Sequence, residues 1–336
     1  MSIQKFNPKK KVFIIAEVGN NHEGNFNNAK RLIKEAANAG VDAVKFQTFI
    51  TDKFVSIDHP SYQRLKKFQF SHQQFLKLKK LSHELKLNFI STPLDLVSGI
   101  FLKKNCKIIK IASGDNNFYD LIKIFLDYKK QLIISTGMMD IVDINKLIKF
   151  IVKKKGKKFL KNNLSLLHCV SSYPADDKTL NLMSIKFLAD QFKEINIGYS
   201  DHSIGCEACV AAVALGAKII EKHFTLNNNF SNFRDHKLSL NPKDMAKMVK
   251  MIRKVESQIG RYEKKIRNNE KKLISPTRRS MIARSSIKKK EILTFQNTSF
   301  LRPQHEESKL VNEVLDKKKS RTNLKSGKFI KNKNLF

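Results

Sequence analysis

The chain of 336 residues reads as α/β: a (β/α)8 TIM barrel over residues 1–260, followed by a small module. Three observations predict it. Eight short apolar runs rich in Val and Ile alternate with eight helical patterns, the count and order of a parallel barrel closed by its own helices. Polar, reactive side chains gather where those runs end, and α/β barrels keep their chemistry at the carboxyl ends of the strands. The segment after the first run, Glu17-Val18-Gly19-Asn20-Asn21-His22-Glu23-Gly24, is not GxGxxG, so an open doubly wound sheet lacks its phosphate-binding turn here.

The strands are expected to begin near Val12, Ala43, Asn88, Ile108, Gln131, Leu164, Asn196 and Ala217. The helices between and after them are expected over Asn27 to Ala39, His72 to Lys86, Leu94 to Lys103, Phe118 to Tyr128, Ile141 to Lys154, Leu180 to Phe192, Gly205 to Leu215 and Pro242 to Ile259. In order, the first strand runs into Glu17 and the Asn21-His22 turn, the second into Lys45-Phe46-Gln47-Thr48, and the third into Ser91-Thr92-Pro93. The fourth presents Lys110 and Ser113-Gly114-Asp115, the fifth Ser135-Thr136-Gly137, and the sixth His168-Cys169 with Ser171, Ser172 and Tyr173. The seventh and eighth end in Gly198-Tyr199-Ser200-Asp201-His202-Ser203 and Ile220-Glu221-Lys222-His223-Phe224. Between these two, the small-residue run Cys206 to Gly216 reads as one tightly packed helix stopped by a glycine.

Neighbouring parallel strands would deliver His202 and His223 to one mouth about 5 Å apart, a strand spacing. Two imidazoles that close can share a divalent metal, and with only two protein ligands in sight such a metal keeps positions open for water or substrate. Lys45 and Lys110 interrupt apolar runs, and a buried ammonium needs an anionic partner. A bound phosphate or carboxylate would supply one, as would a salt bridge with Glu17 or Glu221. Carboxylates are expected at the mouth from Glu17, Asp115, Asp201, Glu221 and Asp235. Lysines, hydroxyls and an open metal position suit carbon–carbon or phosphoryl chemistry on a small anion, without choosing between them.

Composition bounds the rest. The N-terminus, Met1 to Lys11, lacks the apolar core of a signal peptide, and no apolar run approaches the roughly eighteen residues of a membrane span, so a cytoplasmic protein is expected. Cys106, Cys169, Cys206 and Cys209 are scattered through apolar segments as reduced core thiols would be; Cys206 and Cys209 have metal-motif spacing but no second Cys or His pair follows. Net charge is +35 at a sequence pI near 10.0, yet the lysines are spread along amphipathic helices as solvated faces. Residues 261–336 form the densest patch, 22 Lys and Arg against 7 Asp and Glu. Arg261 to Ser275 is charged and poor in large apolar residues, which reads as a linker.

The motifs Ile15-Ala16-Glu17-Val18-Gly19-Asn20-Asn21-His22-Glu23-Gly24, Val44-Lys45-Phe46-Gln47-Thr48, Lys110-Ile111-Ala112-Ser113-Gly114-Asp115, Gly198-Tyr199-Ser200-Asp201-His202 and Glu221-Lys222-His223-Phe224-Thr225 closely resemble the sialic acid synthase family, in that family's order. The resemblance implies condensation of phosphoenolpyruvate with an N-acetylated aminosugar aldehyde, N-acetylmannosamine or a 2,4-diacetamido-trideoxyhexose, to a nine-carbon nonulosonic acid and phosphate. It implies that His202 and His223 hold Mn²⁺ or Mg²⁺, which polarises the aldehyde. Lys45, Thr92, Lys110, Ser113 and Ser200 would bind phosphoenolpyruvate, while Glu17, Gln47, Tyr173, Asp235 and Asp115 face the sugar. Glu221, Glu17 and Lys110 form the expected catalytic set, with Glu221 as the proton-transfer carboxylate.

The tail carries the resemblance onward. Arg278-Arg279-Ser280-Met281-Ile282-Ala283, Ile287-Lys288-Lys289-Lys290-Glu291-Ile292-Leu293 and Leu324-Lys325-Ser326-Gly327-Lys328-Phe329-Ile330 look like the family's β-rich antifreeze-like (SAF) domain, placed at 278–336 behind a linker at 261–277. That implies a domain-swapped homodimer in which Arg302, of Arg302-Pro303, approaches the sugar's acyl group in a partner's barrel. Three positions depart from the family pattern. Gln304-His305-Glu306-Glu307 replaces a glycine-containing turn, Ser171 stands where several members have asparagine, and Asn232-Phe233-Arg234 replaces a Gly-Pro before Asp235. Two other classes fit parts of the sequence: a metal-independent Schiff-base aldolase or lyase using Lys110 or Lys45, and an anionic-polymer or nucleic-acid binder acting through the basic tail.

Overall fold

The computed structural model describes residues 6–126, 130–307 and 318–336. Eight parallel strands close into one barrel in sequence order: β1 (Phe13–Gly19), β2 (Ala43–Thr48), β3 (Asn88–Pro93), β4 (Ile108–Ile111), β5 (Gln131–Ser135), β6 (Leu164–Cys169), β7 (Asn196–Asp201) and β8 (Ile219–His223). β8 pairs back onto β1, with Glu17 opposite His223. Seven strands begin within one residue of the expected positions, and β8 begins two residues late.

Helices Phe26–Asn38, His72–Glu84, Leu96–Asn105, Tyr119–Leu126, Ile141–Lys155, Met183–Gln191, Glu207–Ala214 and Pro242–Ile259 occupy the eight expected places. Their starts are chemically marked: Asn25, Ser71, Asp95, Asp140 and Asn241 each accept backbone N–H groups of the first turn. The expected end of the fourth helix, at Tyr128, lies outside the described residues. The helix expected from Leu180 starts only at Met183, because Asp176 caps a separate 3-10 turn at Asp177–Thr179 and Asn181 takes a positive φ of 41°. Short helices at Thr51–Phe54, Tyr62–Phe68, Lys157–Asn163 and Asp235–Leu238 carry too few turns to show an apolar period, and the sequence does not reveal them.

Strand alternation sorts the side chains into two systems. Outward residues such as Ile14, Ala16, Val44, Ile109, Ile134, Leu166, Ile197 and Ile220 join the helices in the main core. Inward, Phe13, Ile15, Ala43, Ile90, Ile108, Ile133, Leu167 and Ile219 plug the lumen with an apolar layer. Two residues further along the same strands, the inward positions become Glu17, Lys45, Thr92, Lys110, Ser135, Cys169, Ser200 and Glu221. The change from plug to polar layer within one pleat is what opens a site at the carboxyl end.

Residues up to Gly260 and those from Arg261 onward form two compact units. The second pairs Ser280–Ala283 with Thr298–Leu301 as antiparallel strands and adds isolated bridges such as Ile287 to Leu324 and Ser320 to Leu335. Met281, Ala283, Ile287, Leu293, Leu324, Ile330 and Leu335 form its own small core. Short helices at Asn268–Lys271 and Ile274–Thr277 precede its strands. Among the described residues no helix is long and apolar enough to cross a membrane.

Gly198 shows how tightly the lumen is filled. A Cβ there would stand 2.4 Å from the carbonyl oxygen of Ile219 and 2.6 Å from Leu167 Cδ2. Gly198→Ala is therefore expected to destabilise the barrel by about 1–3 kcal/mol, read as a fall in Tm by scanning calorimetry. An unchanged Tm would mean that the plug has slack.

Candidate active site

A cavity of about 380 Å³ opens at the carboxyl ends of the strands. Its floor is a chain of four buried charges. Lys45 Nζ lies 2.9 Å from Glu17 Oε2 and 3.6 Å from Glu221 Oε2, and Lys110 Nζ lies 3.6 Å from Glu221 Oε1. Glu17, Lys45, Glu221 and Lys110 thus alternate in sign and cancel. Hydroxyls surround them: Lys45 donates to Thr92 Oγ1 at 3.3 Å, Lys110 to Ser135 Oγ at 2.6 Å, and Ser200 Oγ to Glu221 Oε1 at 2.9 Å.

The four titrate differently because their neighbours differ. Burial works against the Lys45 ammonium, but Glu17 and Glu221 outweigh it and hold Lys45 above its ordinary value. Lys110 has Glu221 as its main counterion, and burial pushes it down. Burial also acts on Glu221, yet the two lysines and the Ser200 hydroxyl hold it below the usual carboxylate range. Glu17 goes the other way: burial raises it, and Glu221 adds to the rise against the pull of Lys45. Of two carboxylates on one floor, Glu221 stays ionised and Glu17 takes up a proton more readily.

Above this floor stand the two histidines, their ring centroids 5.4 Å apart. His202 Nδ1 bonds the carbonyl oxygen of Val170 at 2.8 Å, which leaves the Nε2 lone pair free to act as a ligand. The Tyr173 ring lies over His202 with centroids 4.1 Å apart. His223 is fully buried, and burial together with the neighbouring His202 holds its pKa well below the ordinary value, so the ring is neutral. Its Nδ1 has no hydrogen-bond partner among the described residues and lies 3.9 Å from Asp235 Oδ2. Among the described residues no group of three or more His, Cys, Asp and Glu side chains is arranged as a metal cage. The donor set is an imidazole pair with an orphaned buried nitrogen and one carboxylate at its edge; burial pulls His202 down, but Cys169 and the Val170 carbonyl outweigh it and hold its pKa above the ordinary value, so only His223 is held neutral.

Of the residues expected at the site, Glu17, Lys45, Gln47, Thr92, Lys110, Ser113, Tyr173, Ser200, His202, Glu221, His223 and Asp235 line this one cavity. Asp115 does not: it sits half-buried in the 3-10 turn Ser113–Asp115. Arg302 belongs to the second compact unit, where it is exposed. Asp201 is not a mouth carboxylate. Ser200 points inward, so Asp201 points outward, where it pairs with Lys222 at 2.7 Å with both side chains fully buried. It also accepts from Ser203 N, Ser203 Oγ and Tyr199 OH, and from the thiol of Cys209. Lys222 stands directly opposite Asp201 in the β7–β8 register, so this ion pair ties together the strand ends that carry His202 and His223. The four cysteines are free and buried.

Several lining residues escaped the sequence. Asn20, whose Nδ2 donates to Gln47 Oε1 at 2.8 Å, was legible as part of the first turn but not as a contact to β2. Phe54, Val55, His59, Ser61, Arg64, Leu65 and Phe68 come from the two short helices after β2 and their joining loop, which have no periodic signal. Gly137, legible only as a strand end, lies behind the lining residue Ser113. A Cβ there would meet Ser171 Oγ at 2.3 Å and Ser113 Oγ at 2.6 Å, so two hydroxyls converge on its bare backbone.

A family profile described as the NeuB family matches residues 32–264. An uncharacterized protein of Methanocaldococcus jannaschii is 42% identical over 308 residues, covering 91% of this chain and 89% of that protein. The N,N'-diacetyllegionaminic acid synthase of Campylobacter jejuni is 37% identical over 309 residues, covering 88% and 91%. The crystal structure of an N-acetylneuraminic acid (sialic acid) synthetase from Leptospira borgpetersenii, in complex with citrate, matches with a TM-score of 0.75 at 34% identity, covering 82% of this chain and 95% of that one.

The outer ion pair and the half-buried Asp115 each give an expectation. Asp201→Asn leaves Lys222 buried without a counterion and should cost about 3–5 kcal/mol in urea unfolding, whereas Asp201→Leu with Lys222→Met should recover most of that loss. If the single variant unfolds like the parent, the pair is not what closes β7 onto β8. Asp115 is raised to about 6 by burial, above its unfolded value near 3.8. Its stabilising contribution is full below the unfolded value and lost as pH rises through about 6, roughly 1–2 kcal/mol allowing for its partial exposure. Asp115→Asn should flatten that part of the Tm–pH curve.

Proposed function

Since this chain belongs to the NeuB family of nonulosonic acid synthases, we propose that it condenses phosphoenolpyruvate with the open-chain aldehyde of an N-acylated aminosugar. Water enters, phosphate leaves, and a nine-carbon 2-keto sugar acid forms. The observation that carries this reading is the neutral chain of Glu17, Lys45, Glu221 and Lys110 beneath paired histidines on adjacent strands.

Phosphoenolpyruvate brings a carboxylate and a phosphate, and Lys45 and Lys110 are the ammoniums to receive them. Their present carboxylate partners hold them in place beforehand, so binding exchanges counterions rather than reorganising side chains. Thr92, Ser113, Ser135 and Ser200 supply hydroxyl donors around the same anion. Bond making joins C3 of the enol to the aldehyde carbon, and the aldehyde oxygen then needs a proton. Glu17, the carboxyl pushed upward by burial, takes up a proton once phosphoenolpyruvate replaces it beside Lys45 and can then donate it, whereas Glu221, held low, stays ionised. Glu221, kept anionic, orients both lysines and can accept a proton from the water that adds at C2.

The residues fit a divalent cation: His202 Nε2 and His223 Nδ1 would hold it, with Asp235 beside them. Such a cation supplies Lewis-acid polarisation of the aldehyde oxygen, and imidazole donors suit Mn²⁺ better than Mg²⁺. Gln47, Tyr173 and Asp235 face the remaining sugar. The proposal also takes 278–336 as an SAF module behind a linker at 261–277, with Arg302 serving a partner subunit's barrel in a domain-swapped homodimer, and it places the protein in the cytoplasm. The β-rich second unit with its own core supports that assignment.

The test is purified protein with phosphoenolpyruvate, Mn²⁺ and a panel of N-acyl hexosamines, following phosphate release and product mass. One phosphate per condensed product is expected, abolished by EDTA. Lys45→Ala and Lys110→Ala should each lower kcat/KM by about 100-fold or more, and His202→Ala should weaken Mn²⁺ binding as well as turnover. Lys110, lowered by burial, could instead form a Schiff base. Turnover that survives EDTA, with borohydride trapping a substrate on Lys110, would replace the condensation by that chemistry.

A further inference from the structure

The turn after β1, residues 20–24, makes contacts with two other parts of the mouth that the condensation itself does not require. The turn is fixed from within: Asn21 N and Glu23 N donate to the carbonyl oxygens of Val18 and Asn20, each at 2.9 Å, and Gly24 N donates to His22 Nδ1 at 3.0 Å. His22 is buried and stacks on Phe70 with ring centroids 4.2 Å apart. A Cβ at Gly24 would stand 2.1 Å from the carbonyl oxygen of Lys67, so the turn lies directly against the helix Tyr62–Phe68.

On one side the turn holds β2, where Asn20 Nδ2 donates to Gln47 Oε1 at 2.8 Å. On the other it holds the segment after β8. That segment leaves the barrel and returns to it at one point, since Leu240 N donates to the carbonyl oxygen of His223 at 2.8 Å and Thr225 N to that of Leu240 at 3.0 Å. Asn21 ties this base, its Nδ2 donating to the carbonyl oxygen of Phe224 and to Ser239 Oγ, both at 2.9 Å. Glu23 ties what lies beyond the base. Its Oε1 accepts from the Ser231 hydroxyl and, at 3.0 Å, from His236 Nε2, while the fully buried His236 ring bonds Thr225 Oγ1 through Nδ1 at 2.7 Å.

Positions 231 and 236 bracket Phe233, Arg234 and Asp235. Phe233 meets Phe68 edge-on at 5.5 Å and joins an apolar cluster with the helices Thr51–Phe54 and Tyr62–Phe68, which makes the outer wall of the cavity. Asp235 opens a helix of only four residues, Asp235–Leu238, that has no side-chain cap. So short a helix has little stiffness of its own, and the place of its first carboxylate depends on what holds the neighbouring residues. Glu23 does not line the cavity, whereas Gln47 and Asp235 both do. Removing the Glu23 acceptor would leave His236 Nε2 without its partner inside the protein, a cost that shifting the segment relieves.

Resting on the reading above that Gln47 and Asp235 face the acceptor sugar, we propose that Glu23 is a positioning residue for that sugar: it fixes Asp235 relative to Gln47 by holding Ser231 and His236 to the same turn that holds Gln47. The experiment compares the parent with Glu23→Ala and Glu23→Gln, using the sugar that releases phosphate fastest and varying each substrate at saturation of the other. Glu23→Ala should raise KM for the sugar by about 10-fold or more and leave KM for phosphoenolpyruvate within about twofold. Glu23→Gln keeps an oxygen that accepts from both donors, so its sugar KM should stay within about threefold of the parent. Loss of folded protein alone would lower the apparent kcat and move neither KM. That outcome, an equal rise in both KM values, or a glutamine as damaging as alanine overturns the proposal.

Amide hydrogen exchange of the unliganded protein separates the tie from the reaction. Exchange over residues 231–236 should quicken by about 10-fold or more in Glu23→Ala and stay near the parent rate in Glu23→Gln. If no aldose releases phosphate from phosphoenolpyruvate, the condensation fails, yet faster exchange confined to that stretch would still support Glu23 as the tie on Asp235. Unchanged exchange sinks the proposal whatever the enzyme turns over. Should Glu23→Ala not fold, Ser231→Ala removes one of the two donors and should raise the sugar KM by about threefold with KM for phosphoenolpyruvate unmoved; a sugar KM equal to the parent's would count against the tie.

Discussion

Four charges buried in a barrel lumen constrain everything around them. Taking Glu17, Lys45, Glu221 and Lys110 out of water costs several kcal/mol per ion, and mutual attraction offsets this only if opposite signs meet at short range. They come from β1, β2, β8 and β4, so that condition is met only when the strands keep their registers around the closed circuit. A one-residue slip of any of these strands would turn its charge into the helix layer and leave a partner unpaired. Apolar side chains would fill the same volume at no electrostatic cost, as they do one layer below. A charged layer above an apolar plug is therefore poorly explained by stability and well explained by an anionic ligand that the two ammoniums receive while Glu221 stays between them.

The same alternation that points Ser200 and Glu221 inward points Asp201 and Lys222 outward, one residue further along β7 and β8. Each strand thus takes part in two ion systems on opposite faces, separated by the sheet itself. The inner one lines the cavity; the outer one, closed off by Tyr199, Ser203 and Cys209, does not. His202 and His223 follow immediately, so the spacing between their rings is set by a pair that never enters the cavity. Fixing ligands through residues behind them is the ordinary way a site is kept ready before anything binds.

Much of this was legible before any coordinates. Strand starts from Val12 to Asn196 showed in the Val and Ile runs because buried parallel strands need apolar side chains on both faces. The histidine spacing followed from adjacency, expected near one strand width and found at 5.4 Å between ring centroids. Asp201 was misplaced because a motif lists residues without saying which face each one takes; strict alternation from Ser200 would have turned it outward. The salt bridges of Lys45 and Lys110 were foreseen only as one of two possible partnerships. Arg64 and Phe68 gave no signal, since a seven-residue helix shows fewer than two turns of pattern and owes its place to Phe233, more than 160 residues away in the chain.

That last contact separates what the barrel must keep from what it can change. The floor is tied to strand register, and altering it disturbs the whole circuit. The outer wall depends on one apolar cluster of two short helices and a loop, none of which pairs into the sheet. Phe233 and Arg234 bring a bulky anchor and a cation to the mouth without touching the register of any strand. The floor and the outer wall of the cavity therefore reside in parts of the fold with different mechanical constraints, and a change at the wall leaves the ions beneath it as they are.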